Sequence, residues 1–175
     1  MLTLILGGAR SGKSSYAQAL VSDAPRVVYI ATASPGDDPE MKRRIARHRA
    51  ERPPHFRTIE APVALVEAVE AVKDGVILVD CITLWLSNLC YRHRALRHEA
   101  REARILGAVS AFIEAAHERQ DDIVVVSNEV GEGVVPDSAV ARDFRDLQGL
   151  ANQAVAREAD RVVLMVAGIP FAVKS

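Results

Sequence analysis

The sequence predicts a three-layer α/β fold, a mainly parallel sheet with helices on both faces. Three observations carry this prediction: short apolar runs recur along the chain, helical patterns lie between them, and a glycine-rich loop joins the first run to the first helix. The runs are Leu2–Leu6, Val27–Ala31, Val76–Asp80, Ile123–Ser127 and Val162–Val166. They are nearly continuous rather than alternating, as expected for strands buried on both faces. Helices are expected over Lys13–Val21, Asp38 to about Arg52, Pro62–Val72, Arg94–Arg119 and Asp137–Glu158. Asp38 can cap the second of these, and Pro39 and Pro62 suit first helical positions. In the last helix Val140, Phe144, Leu147, Ala151 and Ala154 form one face. Strands that alternate with helices imply a parallel sheet. With 175 residues and no repeat or linker, one domain over residues 1–175 is expected.

Composition narrows the function classes. Lys and Arg total 22 against 23 Asp and Glu, so no basic excess points to nucleic acid or to an anionic membrane surface. The only strongly basic stretch is Lys42–Arg57. Cys81 and Cys90 are too few for a zinc set and flank apolar residues, which reads as reduced, buried thiols. Met1 leads directly into Leu2–Leu6 with no basic n-region, cleavage site or long apolar span, so a cytoplasmic protein without a membrane span is expected.

The loop Gly7-Gly8-Ala9-Arg10-Ser11-Gly12-Lys13-Ser14 satisfies G-x-x-x-x-G-K-[ST] at every fixed position, with a strand before it and a helix after it. Glycines permit the tight backbone path that turns amide N–H groups toward phosphate oxygens, and the helix N-terminus adds positive potential there. Lys13 is expected to reach the β- and γ-phosphates of a nucleoside triphosphate, and the Ser14 hydroxyl to ligate Mg²⁺. These are the parts of a P-loop NTPase fold. Asp80 ends an apolar strand, where such an enzyme places its second magnesium-associated group; a helix N-cap is the alternative, with Thr83 competing for that role.

In the segment Asp38–Arg52, helical spacing aligns Met41, Ile45 and His48 on one face and Arg44, His48 and Arg52 in another row. Flanking guanidinium groups would disfavour an imidazolium, and a neutral imidazole is a nucleophile. On the residues alone a solvated basic helix with an incidental histidine is the favoured reading. His55, His93, His98 and His117 lack metal-ligand spacing and read as surface histidines. Ser127-Asn128-Glu129-Val130-Gly131 reads as a strand-end loop near the active site, or as an ordinary turn. No Lys-x-Asp follows Asn128, which argues against a guanine-reading switch protein.

Taken in order, these pieces resemble the adenosylcobinamide kinase/adenosylcobinamide-phosphate guanylyltransferase family over essentially the whole chain. The resemblance rests on the phosphate loop, Tyr29-Ile30-Ala31-Thr32-Ala33, Arg44-Ile45-x-x-His48, Arg57-Thr58-x-Glu60, Val79-Asp80-Cys81-Ile82-Thr83-Leu84-Trp85 and Ser127–Gly131. Val135-Pro136, Arg142–Asp146, Asn152-Gln153 and Ala167-Gly168-Ile169-Pro170 continue it. It implies a RecA-like P-loop fold, a homotrimer, ATP or GTP with Mg²⁺, and two reactions. A nucleoside triphosphate phosphorylates the aminopropanol hydroxyl of adenosylcobinamide. GTP then guanylylates an enzyme histidine, and the GMP passes to adenosylcobinamide phosphate. By the same resemblance His48 is the nucleophile, and GTP contacts fall on Gly7–Ser14, Ala31, Thr32, Ala33, Arg49, Ala50, Glu51, Arg52, Glu60 and Asp80. On the residues alone the chain also fits a P-loop kinase of another small alcohol, or a nucleotide-dependent binding module.

Overall fold

The computed structural model describes residues 1–34, 36, 38–50 and 52–175, and all side chains among them except that of Arg44. Glu51, one of the expected nucleotide contacts, lies outside the described residues, and so does the Arg44 side chain of the expected basic row.

Among the described residues seven strands form one sheet in the order β3-β2-β4-β5-β1-β6-β7. They are β1 (Leu2–Gly7), β2 (Val27–Ala31), β3 (Arg57–Glu60), β4 (Val76–Asp80), β5 (Ile123–Val126), β6 (Arg161–Val166) and β7 (Ile169–Lys174). The first six are parallel and β7 is antiparallel to β6. The helices are α1 (Lys13–Val21), α2 (Pro39–Ala50), α3 (Leu65–Ala71), α4 (Ile82–Arg92), α5 (His98–His117) and α6 (Ala139–Glu158). All five expected strands are present.

Because side chains alternate across a strand, the inner strands feed two cores. Leu2, Leu4, Val28, Ile30, Ile77, Val79, Ile123 and Val125 face one side, under α3, α4, α5 and α6. Ile5, Tyr29, Leu78, Val124, Val126 and Val163 face the other, where Ala17 and Val21 of α1 and Phe56 meet them. The helices therefore cover the faces unevenly, and the carboxyl end of the β2–β3 edge is reached from the α1 side by the segment that follows α2.

Several expectations need correction. β3 and β7 are additional strands, both at sheet edges, and α4 is an additional helix that starts as soon as β4 ends. The Pro62 helix begins at Leu65, with neither a side-chain cap nor Pro62 in its first turn. α5 is shorter at both ends than Arg94–Arg119. At its far end Arg119 leaves the helix to donate to the carbonyls of Val72 and Gly75, which closes the end of α3 onto the sheet. α2 does start at Pro39, and Asp38 Oδ1 accepts the Glu40 N–H at 2.8 Å as an N-cap does. The buried stripe of α6 is Leu147, Gln148, Ala151, Asn152 and Val155, while Val140 is 75% exposed. A helix of 20 residues is about 30 Å long and overhangs strands of four to six residues, so its first turn finds no sheet to cover it. Both cysteines are free, with Cys81 buried and Cys90 only half-buried. Among the described residues no helix is long and apolar enough to cross a membrane.

Candidate functional site

Six parallel strands point their carboxyl ends the same way, so the residues that follow them gather at one end of the sheet. There β1 turns into the phosphate loop. Gly7 and Gly12 have φ of +153° and +92°, and Arg10 sits in the left-handed region at +57°. Gly7 has no room for a side chain: a Cβ would lie 2.6 Å from the Met165 carbonyl oxygen and from Ser11 Oγ. The loop is braced on two sides. Gly168 N–H donates to the Ser11 carbonyl at 3.0 Å from the β6–β7 turn, and Glu129 N–H donates to the Gly7 carbonyl at 3.0 Å. Ala167 and Gly168 have φ of +50° and +85°, the double positive-φ pattern of a tight two-residue hairpin.

Lys13 is buried, and its ammonium donates to the Gly8 carbonyl at 2.5 Å and to Ser11 Oγ at 3.4 Å, inside the curve of the loop. Burial lowers its pKa from the ordinary 10.5, with Cys81 and Asp80 acting in the opposite direction. Gly8, Ala9 and Arg10 are exposed around it and Ser14 is half-buried.

Strand register then decides which side chains share a face. Tyr29 and Ala31 of β2 lie beside Thr58 and Glu60 of β3, and beside Leu78 and Asp80 of β4. Paired residues share a face, so Tyr29, Ala31, Thr58, Glu60 and Asp80 all belong to the face that carries α1. Tyr29 reaches diagonally to Asp80, and its hydroxyl donates to Asp80 Oδ2 at 2.5 Å. Burial, and after it the Asp80 charge, pushes the Tyr29 phenol far above its usual range, so the hydroxyl stays protonated and can only donate to that carboxylate. The α2 segment closes over the same strands. Arg49 pairs with Glu60. Arg52 donates to Thr58 Oγ1 at 2.5 Å and lays its guanidinium 3.5 Å from the centre of the Tyr29 ring. Met41, Ile45 and His48 are the half-buried stripe of α2, as the helical spacing predicts, and no described side chain of that helix is fully buried. His48 Nδ1 is shielded from solvent and has no hydrogen-bond partner among the described residues.

Thr32 ties β2 to the turn after β4. Its hydroxyl donates to the Cys81 carbonyl at 2.7 Å and accepts the Cys81 N–H at 2.8 Å, with the side chain wholly buried. Burial, then the Asp80 charge, pushes the Cys81 thiol up to about 12, so it is protonated and inert at neutral pH. Thr32→Val keeps the shape and strips both bonds from a dry site, and is expected to cost about 2–3 kcal/mol. Thermal unfolding should show this as a Tm lowered by roughly 5–10 °C. Neither Asp80 nor Thr83 caps α4: the capping position is Cys81, without a side-chain bond, and Thr83 Oγ1 accepts the Asn128 N–H at 2.8 Å.

The sequence reading missed the support beneath the Ser127–Gly131 loop. Gln148 donates to Ser127 Oγ and to Asn152 Oδ1, both at 2.9 Å, and Ser127 Oγ donates to Asn152 Oδ1 at 2.7 Å. Asn152 Nδ2 completes the set by donating to the Asn128 carbonyl at 3.1 Å. The available signal was two amides four residues apart on the core-facing stripe of α6, a costly place for polar groups unless they serve each other. Among the other histidines, His98 lies 3.6 Å from Asp143 and His117 Nε2 lies 3.2 Å from the Glu158 carbonyl, both on the exposed side of their helices.

Comparison with known proteins places the whole chain. Residues 3–173 match the family described as cobinamide kinase / cobinamide phosphate guanyltransferase. The chain belongs to that family. It is therefore an enzyme, a kinase and guanylyltransferase that uses a nucleotide. It is 45% identical to the bifunctional adenosylcobalamin biosynthesis protein CobP of Pseudomonas aeruginosa, covering 99% of this chain and 98% of that one. It is 40% identical to CobU of Escherichia coli and 41% identical to CobU of Salmonella typhimurium, both described by the same words, with 99% of this chain and all of theirs covered. Among solved structures it resembles an ATPase from a bacterial type III secretion system, with TM-score 0.60, 12% identity and 93% of this chain covered. The chain spans half of that ATPase. A Pyrococcus horikoshii protein follows with TM-score 0.56, 10% identity, 99% of this chain and 86% of the other. At such identities these likenesses show the fold alone, and the fold they show is that of P-loop ATPases.

Proposed function

We propose that one domain of this family member phosphorylates the aminopropanol hydroxyl of adenosylcobinamide and then transfers GMP from GTP to the resulting phosphate, through a guanylyl group carried on His48. The observation that supports this best is the anchoring of α2. Arg49 on Glu60 and Arg52 on Tyr29 and Thr58 tie the His48 turn to β2 and β3, whose carboxyl ends lie at the same end of the sheet as the phosphate loop.

In the first reaction the substrate hydroxyl attacks the γ-phosphorus of a triphosphate, ATP or GTP, lying in the Gly7–Ser14 loop; the bond to the β–γ bridging oxygen breaks, the nucleoside diphosphate leaves and the hydroxyl proton is released to solvent. Lys13 leaves the Gly8 carbonyl for the β- and γ-phosphates and balances charge that spreads onto the phosphoryl oxygens. Among the described residues no group of three or more His, Cys, Asp or Glu could hold a metal unaided. One hydroxyl, Ser14, and one half-buried carboxylate, Asp80, suit Mg²⁺, which is usually held by one or two carboxylates together with substrate phosphates. Bound there, Mg²⁺ would neutralise phosphate charge. In the second reaction a His48 nitrogen attacks the α-phosphorus of GTP, the bond to the β-phosphate oxygen breaks, and pyrophosphate leaves. Nδ1 is shielded, so Nε2 is the nitrogen left for attack. The phosphate of adenosylcobinamide phosphate then displaces the imidazole, which gives adenosylcobinamide-GDP. Ala31, Thr32, Ala33, Arg49, Ala50, Glu51, Arg52 and Glu60 are the remaining nucleotide contacts in this reading. Helix α2 has no fully buried described side chain and shifts as nucleotide enters.

The homotrimer belongs to the same proposal. It draws support from β7, where Ile169, Phe171 and Val173 are each more than half exposed on one side of an edge strand. Soluble, cytoplasmic operation without nucleic acid completes it.

Incubation with GTP labelled at the α-phosphate, without acceptor, tests the central claim. A covalent label that is acid-labile, base-stable and mapped by mass spectrometry to His48 is expected. Binding of GTP without any label would sink the intermediate.

A further inference from the structure

Tyr29 is the residue on which two parts of the site converge. It is 2% exposed, on β2, with no role in the phosphate loop itself. Its hydroxyl donates to Asp80 at the end of β4. Its ring face carries the guanidinium of Arg52, two residues beyond the end of α2. One rigid side chain thus touches the carboxylate that serves the phosphates and the segment that carries His48.

We infer that Tyr29 is a positioning residue for both reactions, its hydroxyl orienting the Asp80 carboxylate and its ring seating Arg52 so that the His48 turn is held over the nucleotide. The geometry supports each half separately. A carboxylate at a strand end can rotate about its side-chain torsions, and a 2.5 Å bond from a buried phenol removes that freedom from Oδ2. Arg52 is half-buried, bonded to Thr58 and stacked on an aromatic face, which fixes a long side chain at both its end and its plane. Between them Tyr29 and Glu60 place two arginines of the same segment, Arg52 and Arg49, on adjacent strands. A merely structural tyrosine would fill the core under α1 without discriminating between its hydroxyl and its ring.

This inference rests on the proposed roles of Asp80 and His48, and the test separates its failure from theirs. Tyr29→Phe removes the hydroxyl and keeps the ring; Tyr29→Leu removes both. Mn²⁺ in place of Mg²⁺, titrated against each protein with saturating GDP and followed by electron paramagnetic resonance, reads the hydroxyl. Both variants should bind Mn²⁺ about tenfold more weakly than the unsubstituted enzyme. Label from α-labelled GTP, at saturating GTP and metal, reads the ring. Its rate should fall at least several-fold in Tyr29→Leu relative to Tyr29→Phe. Arg52→Gln, which alters no buried core group, should slow labelling similarly, and the double variant Tyr29→Leu/Arg52→Gln should be no slower than the worse single one. Unchanged Mn²⁺ affinity in Tyr29→Phe would overturn the hydroxyl's role. Additive losses in the double variant would overturn the ring's. Absence of label from the unsubstituted enzyme would instead count against His48 as nucleophile, and the Mn²⁺ titration would still decide the hydroxyl.

Discussion

His48→Ala is expected to abolish the covalent guanylyl label while phosphorylation of adenosylcobinamide continues. The selectivity follows from where His48 sits. It is on the last turn of α2, half-buried, in a helix with no fully buried described side chain. Its shielded Nδ1 makes no hydrogen bond among the described residues, so alanine leaves no partner stranded, and alanine is the best helix former at that place. The phosphate loop, Lys13 and Asp80 belong to β1, α1 and β4 and do not depend on the imidazole. Guanylyl transfer without the nucleophile would require adenosylcobinamide phosphate to attack the α-phosphorus of GTP directly, with no covalent intermediate to label. Measuring γ-phosphate transfer and α-label in parallel on the same preparation decides the matter. Loss of both activities would show that His48 serves the loop as a whole, and retention of label would move the nucleophile elsewhere.

Lys13→Met should do the opposite and remove both reactions, each by about 10²–10³-fold, the usual cost of deleting one charge-stabilising donor at a transferring group. The fold should barely notice. The Lys13 ammonium is buried against the Gly8 carbonyl and Ser11 Oγ, and the cost of desolvating it offsets much of what those bonds contribute. Methionine fills a similar volume without the charge. A melting temperature shifted by only a few degrees, beside lost turnover in both assays, is the expected pair of results. A large drop in Tm would mean that the ammonium organises the loop before nucleotide arrives.

How much of this was legible in the chain depends on which contacts are local. The phosphate loop is local in sequence, and its strand and helix neighbours announce themselves by hydrophobic pattern. The buried strands did so as well, because residues such as Ile77, Leu78 and Val79 face core on both sides. The edge strands did not. In β3 only Ile59 is even half-buried, and β7 is exposed throughout and carries Pro170, so neither has a pattern to detect. Helix α4 was hidden because it follows Asp80-Cys81 without the glycine, proline or polar cluster that usually separates elements. Helix ends slipped for the same kind of reason: Arg119 looks helical, yet its guanidinium satisfies carbonyls from α3 and the β4 approach. The family resemblance named His48, Glu60 and Asp80, whereas Tyr29 matters through Asp80, 51 residues away in sequence, and Gln148 through Ser127, 21 residues away. Strand register and helix packing create those meetings, and a linear pattern does not contain them.

The hairpin that joins β6 to β7 carries a consequence for assembly. Its turn donates the Gly168 N–H to Ser11, and its outer strand presents Ile169, Phe171 and Val173 to the surroundings. A neighbour seated on that strand, as in the proposed trimer, would press on the same hairpin that braces the phosphate loop. In the proposed trimer, a subunit deprived of its neighbours would hold nucleotide on a looser foundation, so turnover per subunit is expected to fall on dilution.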